Sequence, residues 1–124
     1  MSLSFPLKDH RLSQPEMFRE IFQKGLRCRV GGLFVLLLKK EQDLVRLGVV
    51  CRKKLAKRAV TRNRYRRIIR EWTRLHQNEL QGYWIIVDVQ KKYTRMEHPE
   101  LKDDLQKAVL KLTQKNSSKN SVVV

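Results

Sequence analysis

RLGVVCRKKLAKRAVTRNRYRRIIREWTRL, residues 46–75, changes its hydrophobic period partway along. Residues 44–51, LVRLGVVC, are rich in branched apolar side chains and read as a strand. Residues 52–58 are a basic connection. From Ala59 apolar residues recur at helical spacing to about His76, and Gly82 breaks the pattern. Residues 83–89, YWIIVDV, are apolar and β-branched enough to be another strand. A strand, an amphipathic helix and a strand in succession predict an α/β fold.

The segments on either side extend this unit. Residues 33–38, LFVLLL, form the longest apolar run and suit a buried strand. The polar residues 39–43 look like a turn, which predicts a hairpin between 33–38 and 44–51. A short strand over 29–31 precedes it. Ser13, Pro15 and Glu16 have the form of a capping box with proline in the first turn. Met17, Phe18, Ile21 and Phe22 follow at helical spacing and Gly25 is a stop, so a first helix covers 14–24. Beyond a loop at 91–97, Pro99 with Glu100, Asp103 and Asp104 marks a last helix start, with acids near its positive end. Leu101, Leu105, Ala108, Val109 and Leu112 are its apolar stripe. The expected order is α-β-β-β-α-β-α, a sandwich of helices on one small mixed sheet. Residues 1–115 make a single domain, and the polar tail 116–124 is expected to be disordered.

Charge narrows the function. The 124 residues carry a net charge of +16, which points to a polyanionic partner. Residues 52–74 hold eleven Lys or Arg against one Glu, and so ten of the sixteen net charges. Nothing approaches the roughly 20 apolar residues of a membrane helix. Lys8, Asp9, His10 and Arg11 interrupt any secretory pattern, so no membrane association and a cytoplasmic location are expected. Cys28 and Cys51 are then expected to be free thiols, with Cys51 serving as a small core residue.

On a helical wheel Tyr65, Ile68, Ile69, Trp72 and Leu75 share an arc of roughly 120° that would bury against the sheet. Arg62, Asn63, Arg66, Arg67, Arg70 and Arg74 occupy a separate arc of roughly 140°, with Arg64 off to the side near Glu71. A solvated face normally mixes signs to gain i,i+4 pairs, and this one does not. Arginine presents a planar fork that fits phosphate oxygens two at a time and stacks on bases. The face therefore suits a nucleic-acid backbone. A solvated surface or an anionic membrane are the other readings of such a helix. The sequence offers little catalytic chemistry: His10, His76 and His98 are scattered, no C-x-x-C pair suggests zinc, and carboxylates are few.

Three stretches together resemble the protein component of bacterial ribonuclease P: RLGVVCRKK at 46–54, AVTRNRYRRIIRE at 59–71, and HRLSQPEMFREIFQKG at 10–25. The family's R-N-R-x-[KR]-R-x-x-R motif is complete over 62–70. The resemblance covers about residues 11–112. It implies a ribosomal-protein-S5 domain 2-like fold. It also implies a subunit of the ribonucleoprotein that cuts the 5′ leader from precursor tRNA, with an RNA catalyst and no catalytic residue on the protein. Arg62, Asn63, Arg64, Arg66, Arg67 and Arg70, with Lys53 and Lys54 nearby, would dock on the catalytic RNA. Phe18 and Phe22, one helical turn apart, would stack leader bases, with Arg11 and Phe34 contributing. On periodicity alone the two rings are as well placed for the core. Mg²⁺ would serve the holoenzyme, bound mainly by RNA, and no protein partner is implied. Two features depart from the family pattern. Arg52 stands where a small residue is usual, and strand 33–38 is unusually aliphatic. A ribosomal or assembly protein using only the arginine helix, or a reader of duplex DNA, are the alternatives.

Overall fold

The computed structural model describes residues 7–41, 43–94 and 98–121. Its elements run α1 (Leu7–His10), α2 (Pro15–Lys24), β1 (Leu26–Val30), β2 (Leu33–Lys39), β3 (Arg46–Cys51), α3 (Ala59–Leu75), β4 (Tyr83–Val89) and α4 (His98–Ser121). The expected succession is present, with α1 added before it. The capping box is not made: α2 starts from Gln14 with no side-chain cap, and Pro15 alone sets its first turn. The disorder expected of 116–124 falls on side chains outside the described residues, although the helical backbone of α4 continues to Ser121.

The four strands lie in the order β1-β2-β4-β3. This corrects the expected hairpin between 33–38 and 44–51, because β4 is inserted between those two strands. β2 pairs antiparallel with both β1 and β4, and β3 pairs parallel with β4 across the α3 crossover. The hairpin is β1–β2, closed by Val30 opposite Leu33 around Gly31-Gly32. Gly31 has φ +56°, which a two-residue hairpin turn demands and glycine accepts without penalty. The segment taken for the other turn is tied elsewhere: Lys40 N donates to Gly82 O at 2.6 Å and Gly82 N to Asp43 O at 3.0 Å.

The long apolar runs of β2 and β4 follow from this order, since both are central strands covered on two faces. On one face Leu33, Val35, Leu37, Ile85 and Val87 pack with Tyr65, Ile69 and Trp72 of α3 and with Leu101, Leu105 and Leu112 of α4. On the other, Leu36, Trp84 and Ile86 pack with Ile21 of α2 and with Leu12. Leu75 does not join the core; it is 55% exposed, and Thr73 is buried instead. The buried arc of α3 is thus turned by a few tens of degrees from the one that apolarity alone suggests. Thr73 makes this tolerable by donating its hydroxyl to Ile69 O at 2.8 Å. Both cysteines are buried and free, and burial pushes both thiols up, away from reactivity.

Asp43 clamps the far end of the sheet. It accepts from Arg46 Nε at 2.9 Å, Trp84 Nε1 at 2.9 Å and Leu44 N at 2.8 Å. Burial alone would raise its pKa, but these donors outweigh it and hold the carboxyl below its ordinary 3.8. A lowered folded-state pKa stabilises above the unfolded value and loses that contribution as pH falls through the folded one. Asp43→Asn keeps the acceptor for Trp84 and removes the charge. The urea midpoint gap between wild type and variant is therefore expected to be full above about pH 5 and to shrink as pH falls below the ordinary carboxylate range. A gap independent of pH would show that the clamp does not depend on ionisation.

Candidate nucleic-acid interface

Burying Tyr65, Ile69 and Trp72 forces the arginines of α3 outward. Arg62 turns back to donate to Ala56 O at 2.8 Å and Lys57 O at 3.0 Å, so it braces the loop that carries exposed Lys53 and Lys54. Arg66 donates to Asn63 Oδ1 at 3.3 Å. Arg74 pairs with Glu71, Nε to Oε2 at 3.2 Å, which draws it out of the cationic group where the wheel places it. Arg64, Arg67 and Arg70 have no carboxylate partner among the described residues. With Val60, Asn63 and Arg66 they line a hollow of about 370 Å³ on the helix surface. Its walls are guanidinium forks, the geometry that receives phosphate oxygens.

The second surface is set by how α2 crosses the sheet. Ile21 is its buried anchor. On one flank Glu20 pairs with Lys40 at 2.7 Å, and Lys40 sits 4.7 Å over the Trp84 ring. Phe18 and Phe22 stand about 160° around the helix from Glu20, on the opposite flank. The cross-strand row on that side is Arg29–Phe34–Asp88–Val50. Phe34, Asp88 and Val50 in this row are half-buried, and Arg29 is exposed. The row is therefore the floor of a cleft whose wall is α2. Phe18 is half-buried against Gly48, where an added Cβ would meet its ring at 2.9 Å. Phe22 is 49% exposed, so the core alternative does not describe it. The Arg29 guanidinium lies 5.6 Å over the Phe34 ring.

The two surfaces meet around the outer edge of β3, where Arg11 bridges to Leu47. A hollow of about 380 Å³ there is lined by His10, Arg11, Leu12, Phe18, Leu47, Gly48, Val49, Arg66 and Arg70. It brings Arg11 and Phe18 together with two arginines of α3, a continuity that periodicity could not reveal. Phe22 and Phe34 lie outside it. Sequence reasoning missed three contributors: Arg29, His10 and Gly48. His10 is buried, with Nδ1 2.7 Å from Val45 O. Gly48 carried a signal, since an isolated glycine in a strand marks a close approach. Among the described residues no group of three His, Cys, Asp or Glu side chains could hold a metal ion, and no helix is long and apolar enough to cross a membrane.

Comparison with known proteins gives this geometry a family. The ribonuclease P family model matches residues 6–113. The ribonuclease P protein component of Stutzerimonas stutzeri is 42% identical over 96 residues, covering 76% of this chain and 72% of that one. That of Chromobacterium violaceum is 35% identical over 114 residues, covering 90% and 93%. Among solved structures, a Staphylococcus aureus RNase P protein mutant with defective mRNA degradation activity superposes with a TM-score of 0.75 at 28% identity, over 86% of this chain and 90% of that one. The RNase P protein from Thermotoga maritima gives 0.62 at 25% identity, over 79% and 93%.

Proposed function

The chain belongs to the bacterial ribonuclease P protein family, and from that premise we propose that it grips RNA on two surfaces that join at the edge of β3. As the non-catalytic protein component of ribonuclease P, it associates with the enzyme's RNA in 5′ leader processing of precursor tRNA. Ribonuclease P holoenzymes use Mg²⁺ through the RNA subunit. In our reading Arg62, Asn63, Arg64, Arg66, Arg67 and Arg70 dock on the catalytic RNA, with Lys53 and Lys54 beside them. Arg62 does so in part indirectly, by bracing the loop of the two lysines. Phe18, Phe22 and Phe34 stack bases of the single-stranded leader, and Arg11 meets its backbone. By holding substrate and catalyst together the protein favours the RNA geometry that binds Mg²⁺. The cytoplasm is the compartment this work requires.

The supporting observation is the shared hollow, which Phe18 lines together with Arg66 and Arg70. A strand leaving the cleft meets arginine directly, so one RNA path can serve both surfaces. Stacking is worth roughly 1–3 kcal/mol per base and tolerates any sequence, as a leader that differs between tRNAs requires. Phe22→Ala in the reconstituted holoenzyme is expected to weaken precursor binding by roughly fivefold or more, and to leave mature tRNA binding nearly unchanged. Equal losses for both would remove Phe22 from the leader path.

A further inference from the structure

Asp88 is the anomaly of the cleft. It lies on β4 between Phe34 of β2 and Val50 of β3, in the row of the α2 face that the helix leaves bare. In a chain of net charge +16 this carboxylate makes no ion pair among the described residues. Its Oδ2 accepts only a long bond from Gln90 Nε2, at 3.4 Å, and its Oδ1 is buried with no hydrogen-bond partner. A buried acceptor without a donor is costly, and in a native fold it calls for an explanation. A phosphate-binding floor would exclude a carboxylate. A base-binding floor can use one, because exposed bases carry N–H donors on their Watson–Crick edges.

We infer that Asp88 reads one leader base, accepting hydrogen bonds from its Watson–Crick edge while Phe18, Phe22 and Phe34 supply sequence-tolerant stacking. This rests on the leader-binding role of the cleft and adds selectivity to it. The torsion that turns an aspartate carboxylate is broad, so a quarter-turn brings the buried oxygen level with its partner and presents both to a ligand. Guanine is the matching base: N1–H and the N2 amino group are adjacent donors that meet two carboxylate oxygens. Adenine and cytosine each offer one amino donor beside an acceptor. Uracil sets its single N–H between two acceptors, which a carboxylate repels. The same charge pushes phosphates away from the floor, so the leader lies bases inward and its backbone faces Arg11 and Arg29.

The test uses the holoenzyme, reconstituted with a bacterial ribonuclease P RNA, and precursor tRNAs carrying each of the four bases at each leader position in turn. Wild type is expected to favour guanine over uracil at one position by roughly fivefold or more in kcat/KM. Asp88→Ala should flatten that profile to within about twofold. The near-isosteric Asp88→Asn, which keeps the shape of the floor, should lose the guanine preference as Asp88→Ala does, because an amide offers one acceptor and one donor and can make two bonds with the Watson–Crick edge of any base. An unchanged profile in Asp88→Ala overturns the inference, as does a wild type with no base preference at any position. In both cases the leader reading survives if Phe22→Ala still weakens precursor more than mature tRNA. If Phe22→Ala affects both equally, the leader reading falls and the inference falls with it.

Discussion

Replacing Arg66, Arg67 and Arg70 together with alanine is expected to weaken assembly with ribonuclease P RNA by roughly a hundredfold at low salt, and to reduce the slope of log affinity against log salt by about 2–3. The slope is the sharper measurement. Each phosphate contact that displaces condensed counterions contributes about 0.7–0.9 to it, so losing three arginines has a numerical signature that general damage lacks. The three side chains are suited to the test. Neither Arg67 nor Arg70 has a carboxylate partner among the described residues, and the bond of Arg66 to Asn63 is exposed. Removing them breaks no ion pair among the described residues and relieves self-repulsion between like charges three and four apart, so the urea midpoint should hold or rise slightly. Arg62→Ala is different in kind. Its bonds to Ala56 O and Lys57 O would go, and the loop bearing Lys53 and Lys54 would loosen. Its loss of affinity should therefore be accompanied by faster proteolysis of residues 52–58. Filter binding across a salt series separates these cases, and an unchanged slope in the triple variant would remove the arginine face from RNA docking.

What the sequence revealed was mostly local. The helix 14–24, the strands and the arginine helix could be read because each is set by its own hydrophobic period. Strand order could not be read that way. Residues 39–43 look like a hairpin turn, and only the pairing of Lys40 and Asp43 with Gly82 shows that this segment leads away from β2 instead. The turn that does close a hairpin, Gly31-Gly32, lay at the end of a strand too short to stand out. The wheel placed Leu75 inside because apolarity is its only input; the hydroxyl of Thr73, satisfied by Ile69 O, turned the buried arc. The interface divides in the same way. Charge and residue type are properties of a segment, and the arginine face was legible. The cleft depends on which row of the sheet α2 leaves bare, a tertiary fact. Asp88 looked like one more strand residue until its neighbours Phe34 and Val50 were known.

Gly31→Ala carries the largest expected effect on stability, about 3 kcal/mol from two separate costs. An alanine held at φ +56° loses roughly 1–2 kcal/mol against glycine. The added Cβ would also overlap the Asp104 carboxylate. That carboxylate accepts from Tyr93 Oη at 2.6 Å, while Tyr93 Oη in turn accepts from Gly32 N at 3.0 Å. Tyr65 Oη donates to Tyr93 O at 2.6 Å. Through these bonds the β1–β2 turn is joined to α4, to the strand-following segment after β4, and to the core face of α3. Burial, reinforced by Asp104, pushes the Tyr93 hydroxyl well above the ordinary phenol range, so it stays protonated and donating. Displacing Asp104 sacrifices a buried hydrogen bond to a charged group, worth about 1.5–3 kcal/mol. Of a total stability of roughly 5–15 kcal/mol this is a large share, and the urea midpoint should fall clearly. Asp104→Asn separates the two costs. It retains an acceptor for Tyr93 and leaves the glycine conformation untouched, so its loss should be near 1 kcal/mol. The site lies at the β1–β2 edge of the sheet, under α4, while α3 packs towards β3 at the opposite edge, so the salt slope for RNA binding by folded Gly31→Ala protein should match wild type. A midpoint shift no larger than that of Asp104→Asn would mean the turn relaxes around the methyl group and does not anchor the hairpin.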